Sequence, residues 1–259
     1  MSWVVWGAAS LLAPGLPQSA LILLGTFAPG LLALGLTARS SGGAGTAALL
    51  RRLVDWEVPG RWYLFALLYV VTIKLTAALV HRLALGAWPR FGEDPWYLLL
   101  AATFASVLLG GQTGEELGWR GYALPRLWAR FGLGGASVLL GVVWAAWHLP
   151  FFFVLADSDS FGQSFPLYLL QVVAISVAMA WLYAHTRGSL LPVMLLHSAI
   201  NNTKDIVPSA EPGARNSLAL SHSTIAWITV ALLWACAGYF LVRMPRGLAA
   251  VSETAPRSG

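Results

Sequence analysis

Two consecutive carboxylates, Glu115 and Glu116, precede Arg120 in the stretch GQTGEELGWRGYALPRL, residues 111–127. Apolar stretches flank it on both sides, in a chain where only 10% of residues are charged. On a helix Glu116 and Arg120 lie about one turn apart with the acid on the N-terminal side, the favoured order for an ion pair. Glu115 is rotated from Glu116 by about 100° and cannot share that face. The spacing reads Glu116 as half of a structural pair and leaves Glu115 for chemistry.

A partner for Glu115 is His148, in VVWAAWHLPFFF. Gly132, Gly134 and Gly135 supply a turn between the two. With antiparallel helices on either side, Glu115 and His148 stand at similar heights, given a rise of about 1.5 Å per residue. Pro125 is expected to kink or break the first arm. A third contribution comes from LLHSAINNT, where His197 and Asn201 share one helical face. An ionisable group at bilayer depth costs about 2.5–3.5 kcal/mol on insertion scales. Glu115, Glu116, Arg120, His148 and His197 together are a burden that mutual pairing and a water-filled cavity relieve. Each also has a plainer reading: a solvated helix end for Glu115, a brace for Glu116 and Arg120, a packed imidazole for His148. For His197 and Asn201 it is interhelical hydrogen bonding. Their joint occurrence points to a site.

The elements that must position these residues are membrane spans. The 259-residue chain is 58% hydrophobic, whereas a soluble domain carries roughly 25% charged residues. Apolar runs recur near 3–12, 18–38, 62–84, 96–118, 134–155, 165–185, 188–206 and 224–242. This predicts an all-α, polytopic transmembrane bundle of about eight helices, the first short or truncated. Residues 1–242 form one domain with its motif-bearing core at about 96–203, and 243–259 a cytoplasmic, disordered tail. Segment 39–61 is Gly/Ser-rich and then amphipathic, the pattern of an interfacial helix. The net charge of +5 fits loops against anionic lipid; no soluble basic cluster interleaved with aromatics suggests nucleic acid. The single cysteine, Cys236, sits in an apolar run and excludes an internal disulfide.

With the C-terminus placed in the cytoplasm, alternation puts eleven arginines on that side, Arg120 among them. Only Arg82, Arg90, Lys204 and Arg215 fall outside, as the positive-inside rule requires. Lys74 alone stays within a span, facing the bundle or snorkelling. Two lysines against fourteen arginines hint at a prokaryotic cytoplasmic membrane.

The ordered set Glu115-Glu116-x-x-x-Arg120, Trp144-x-x-x-His148 and His197-x-x-x-Asn201 resembles the CPBP family of intramembrane endopeptidases. This is the CAAX-type protease group with its bacteriocin-processing and immunity relatives. The resemblance covers about residues 96–203; the family usually has Phe where this chain has Trp144. It implies an eight-helix intramembrane fold and hydrolysis of a peptide bond in a membrane-associated substrate. In that reading Glu115 takes a proton from water and His148 holds and polarises it. His197 and Asn201 donate to the tetrahedral oxyanion, and Glu116 and Arg120 brace the helix. A metal is left open: two His and a Glu could ligate zinc with the second Glu as base. Two other classes fit a small polytopic protein with buried Glu, His and Asn, a proton-coupled carrier and a non-catalytic immunity or scaffold protein.

Overall fold

The structure, a computed structural model, describes residues 1–153, 155, 164–208, 218 and 223–244. Of the expected tail, residues 245–259 lie outside the described residues.

All eight expected apolar runs are helical. They form α1 (Ser2–Ala9), α2 (Leu16–Arg51), α3 (Gly60–Leu85), α4 (Trp96–Leu109) and α5 (Gln112–Gly118). There follow α6 (Leu124–Trp147), the short α7 (Pro150–Phe153), α8 (Phe165–His185), α9 (Leu191–Thr203) and α10 (Thr224–Arg243). Prolines occupy the first turns of α2, α6, α8 and α9, where a missing N–H is harmless. Among the described residues five helical stretches are long and apolar enough to cross a membrane: Leu16–Arg51, Gly60–Leu85, Gln112–Phe153, Phe165–His185 and Thr224–Arg243, the third of them interrupted at Gly132. Their outer faces carry exposed Leu, Val, Phe and Trp side chains, the surface that lipid covers. The chain is an integral, multi-pass membrane protein.

Three boundaries differ from expectation. The run 96–118 is two helices, because the backbone turns extended at Gly110, within a Gly-Gly pair of poor helix formers. Residues 119–131, which lie between two of the expected apolar runs, are helical. Pro125 does not break that arm. The chain instead widens into a π-turn at Trp119–Ala123, where the Leu124 N–H reaches Trp119 O just before the residue that has no N–H to give. The reversal comes at Gly132, whose φ of 71° favours a residue without Cβ. Residues 112–131 and 133–147 are thus two arms of a helical hairpin. The amphipathic segment at 39–61 is helical only to Arg51, after a kink at Gly42.

The hairpin is held on both flanks by close backbone contact. A Cβ at Gly118 would lie 2.5 Å from Pro29, and one at Gly114 2.7 Å from the Phe27 backbone, so α2 packs directly on α5. On the other arm Gly141 allows α6 to approach Val173 of α8 equally closely. Small residues at such crossings are the usual means by which membrane helices pack.

Loops that alternation assigns to one side of the membrane do meet. At one end Arg52 donates to Tyr183 Oη at 2.9 Å, Leu190 N–H to Arg52 O at 2.8 Å and Ser189 to Asp55 O at 2.6 Å. At the other, Gly92 N–H bonds Ile206 O at 3.0 Å, and Lys74, buried within the bundle, bonds Val207 O at 3.1 Å.

Candidate active site

The first arm of the hairpin delivers Glu115, Glu116 and Arg120, the second Trp144 and His148, and α9 delivers His197. Glu116 and Arg120 pair as their spacing predicts, Oε1 to an Nη of the arginine at 2.9 Å. The same oxygen accepts from His197 Nδ1 at 2.8 Å. Arg120 also lies 3.5 Å from Ser176 Oγ, which in turn donates to Ser137 O at 2.9 Å. Its guanidinium sits 4.3 Å from the centre of the Trp144 ring, a cation–π contact strengthened by the absence of water.

Glu115 takes no part in that pair. Its Oε2 accepts from Trp144 Nε1 at 2.8 Å. His148 Nδ1 lies 2.9 Å from Trp144 O; a carbonyl only accepts, so Nδ1 carries the hydrogen and Nε2 presents its lone pair. Tyr168 of α8 packs edge-on against the same imidazole at 5.6 Å. The two acids differ in access as well as in partners. Glu116 and Arg120 are fully buried, while Glu115 keeps 5%, His148 8% and His197 3% of their surface. The ion pair is sealed, whereas the other three, though buried, keep a little exposed surface.

Five of the six expected residues therefore belong to one buried cluster. Asn201 differs: it is exposed near the end of α9. The amide that turns inward there is Asn202, which donates to Ser106 Oγ at 2.9 Å and to Ser198 O at 2.8 Å. Ser106 and Ser198 are themselves bonded to each other, so a hydroxyl and amide cluster fastens α9 to α4. The sequence reading missed this cluster, and with it Ser176; hydroxyls inside otherwise apolar runs were the available signal.

The donor set does not suit a metal ion. Among the described residues no three His, Cys, Asp or Glu side chains are grouped to hold one. The one oxygen with two partners, Glu116 Oε1, already faces a guanidinium, whose charge repels a cation.

All six residues fall within 91–203, the segment that matches the family model described as Type II CAAX prenyl endopeptidase Rce1-like. Over this segment the chain is similar to the Rce1-like CAAX proteases. A protein of Methanococcus maripaludis named CAAX prenyl protease 2 is 34% identical over 115 residues, which are 42% of this chain. The match spans 39% of that relative's own length. The Rce1-like segment contains α4 to α9, the whole hairpin and both histidine-bearing helices, so the shared part is the part that builds the site.

Proposed function

We propose that the protein is an intramembrane endopeptidase that hydrolyses a peptide bond of a membrane-associated peptide or protein, through a water held between Glu115 and His148. The observation that carries this reading is the division of labour between the two acids. Glu116 is bonded by Arg120 and His197 and fully buried, whereas Glu115 takes no part in that pair, is held by an indole N–H and keeps 5% of its surface exposed. A base must be positioned and reachable; a brace must be neither.

In this mechanism Glu115 takes the proton as the water oxygen attacks the peptide carbonyl, and His148 Nε2 orients the water by accepting its second hydrogen. His197, anchored through Nδ1 to Glu116, turns Nε2 toward the carbonyl oxygen and donates to the oxyanion, with Asn201 one turn away at the exposed end of the helix. Collapse of the tetrahedral intermediate returns the proton from Glu115 to the leaving amine. No step passes through a metal, in keeping with the donor set. The family and the relative, named for prenyl-peptide proteolysis, support a lipid-anchored substrate; two lysines against fourteen arginines support a prokaryotic membrane, with the C-terminus cytoplasmic.

The test is cleavage of a lipid-anchored reporter peptide by the purified protein in liposomes. Glu115→Gln, which can still accept the Trp144 bond, should lose activity by about 10²–10⁴-fold, the usual contribution of a general base, while staying folded and inserted. Full activity in that variant overturns the assignment. Solute flux without peptide products would favour the carrier, and neither would favour the scaffold.

A further inference from the structure

We propose that Trp144 is the positioning residue of the site, fixing both groups that hold the attacking water. The inference rests on Glu115 as base and goes beyond it, because nothing in the reaction itself requires an indole. Trp144 is 3% exposed and touches every other buried member of the cluster except Glu116. Its Nε1–H donates to Glu115 Oε2 at 2.8 Å. Its carbonyl accepts from His148 Nδ1 at 2.9 Å. Its ring lies 4.3 Å from the Arg120 guanidinium and 5.2 Å from the His197 ring, edge to face.

These contacts do different things. The carbonyl sets the tautomer of His148 and so makes Nε2 the ring nitrogen that can accept a hydrogen bond. The indole N–H occupies one carboxylate oxygen of Glu115 and leaves Oε1 as the one that can meet the water. A glutamate side chain has three rotatable bonds, and the indole N–H fixes the far end of this one. The ring contact with Arg120 locks the indole plane, so the N–H points where the helices put it. Side chain and main chain of one residue thereby hold both the base and the water-holding imidazole.

A phenylalanine at 144 keeps a ring against Arg120 and His197 and the carbonyl for His148, but cannot donate to Glu115. Loss of a hydrogen bond to a charged group predicts a kcat about ten- to a hundredfold lower, with KM unchanged, because the indole is buried behind the groups it holds. A closer isostere, the benzothienyl analogue of tryptophan incorporated at 144, replaces the N–H by sulfur and preserves the ring shape. The experiment compares kcat, KM and the detergent-unfolding midpoint of wild type, Trp144→Phe and the benzothienyl protein in the reporter-peptide liposome assay. The expected result is a matched fall in kcat in both variants with KM and, for the isostere, the midpoint held. Wild-type kcat in the isostere, or a fall in kcat matched by a fall in its unfolding midpoint, overturns the proposal. Glu115→Gln run alongside separates the two ideas: if it is inactive while the isostere is fully active, only the role of Trp144 fails; if it is active, the base assignment fails first.

Discussion

Glu116 Oε1 lies 2.8 Å from His197 Nδ1, a bond that ties the first arm of the hairpin to α9 across eighty-one positions of sequence. Because Arg120 holds the same oxygen, three helical elements depend on one buried anion: the hairpin arm, α9 and, through Ser176, α8. Catalytic geometry and stability are therefore coupled at Glu116 but separable at Glu115.

The first prediction concerns that coupling. Removing one partner of a buried pair leaves an uncompensated charge, which costs about 3–5 kcal/mol. Arg120→Ala should lower the detergent-unfolding midpoint accordingly, and activity should fall with it. The double variant Arg120→Met with Glu116→Gln removes both charges and should recover much of the lost stability. An Arg120→Ala protein that unfolds at the wild-type midpoint would show that the ion pair carries no structural load.

A second prediction separates the two imidazoles. In the proposed mechanism His197 serves the oxyanion, and loss of one fixed donor costs about 10²–10³ in kcat. His197→Ala should also weaken the fold, since Glu116 loses a partner. His148→Ala should lose activity at a smaller structural cost, because its Nδ1 bonds a main-chain carbonyl and not the buried anion. Comparing unfolding midpoints of the two variants checks the difference; equal destabilisation would contradict it.

How far the sequence revealed this site depends on which physical rule applied. Helical spacing was enough to pair Glu116 with Arg120 and to turn Glu115 away from them. Counting residues on either side of the glycine turn was enough to bring His148 to the level of Glu115. Spacing failed where helix rotation relative to neighbours decides the outcome. His197 and Asn201 do share a face, but that face leaves the bundle at the last turn of α9, and Asn202 is the amide that turns in. It failed again at Gly110, where a break interrupts an expected continuous helix, and at Trp119–Ala123, where a π-turn stands in place of the kink or break expected at Pro125. Arg120, counted as a cytoplasmic loop charge, is fully buried, so the loop-charge argument stands without it. Trp144 was visible only as the aromatic before a histidine; its N–H bond depends on how two arms pack, which no local pattern encodes.

A third prediction concerns metal. Glu116 Oε1 is occupied by a guanidinium and an imidazole, so a divalent ion finds no three-ligand seat in the cluster. Prolonged treatment with a strong chelator should leave cleavage unchanged, and metal analysis of the active protein should give less than one equivalent. Loss of activity on chelation, restored by zinc, would overturn the metal-free mechanism.

The last prediction fixes the direction of the bundle. The contacts of Arg52 and Asp55 with the α8–α9 turn and of Gly92 with Ile206 place the α2–α3 and α3–α4 connections at opposite ends of the bundle. Arginine is concentrated at the first of these ends, which the positive-inside rule assigns to the cytoplasm. Glu57 and Glu93 are exposed, one in each connection. With Cys236 replaced by Ala, Glu57→Cys should react with a membrane-impermeant thiol reagent only in inverted vesicles, and Glu93→Cys only from outside intact cells. The opposite pattern would invert the orientation and put the site within reach of external substrates, since the Glu116 and Arg120 pair lies toward the arginine-rich end, where Gly121 packs close to Leu49 and Leu190.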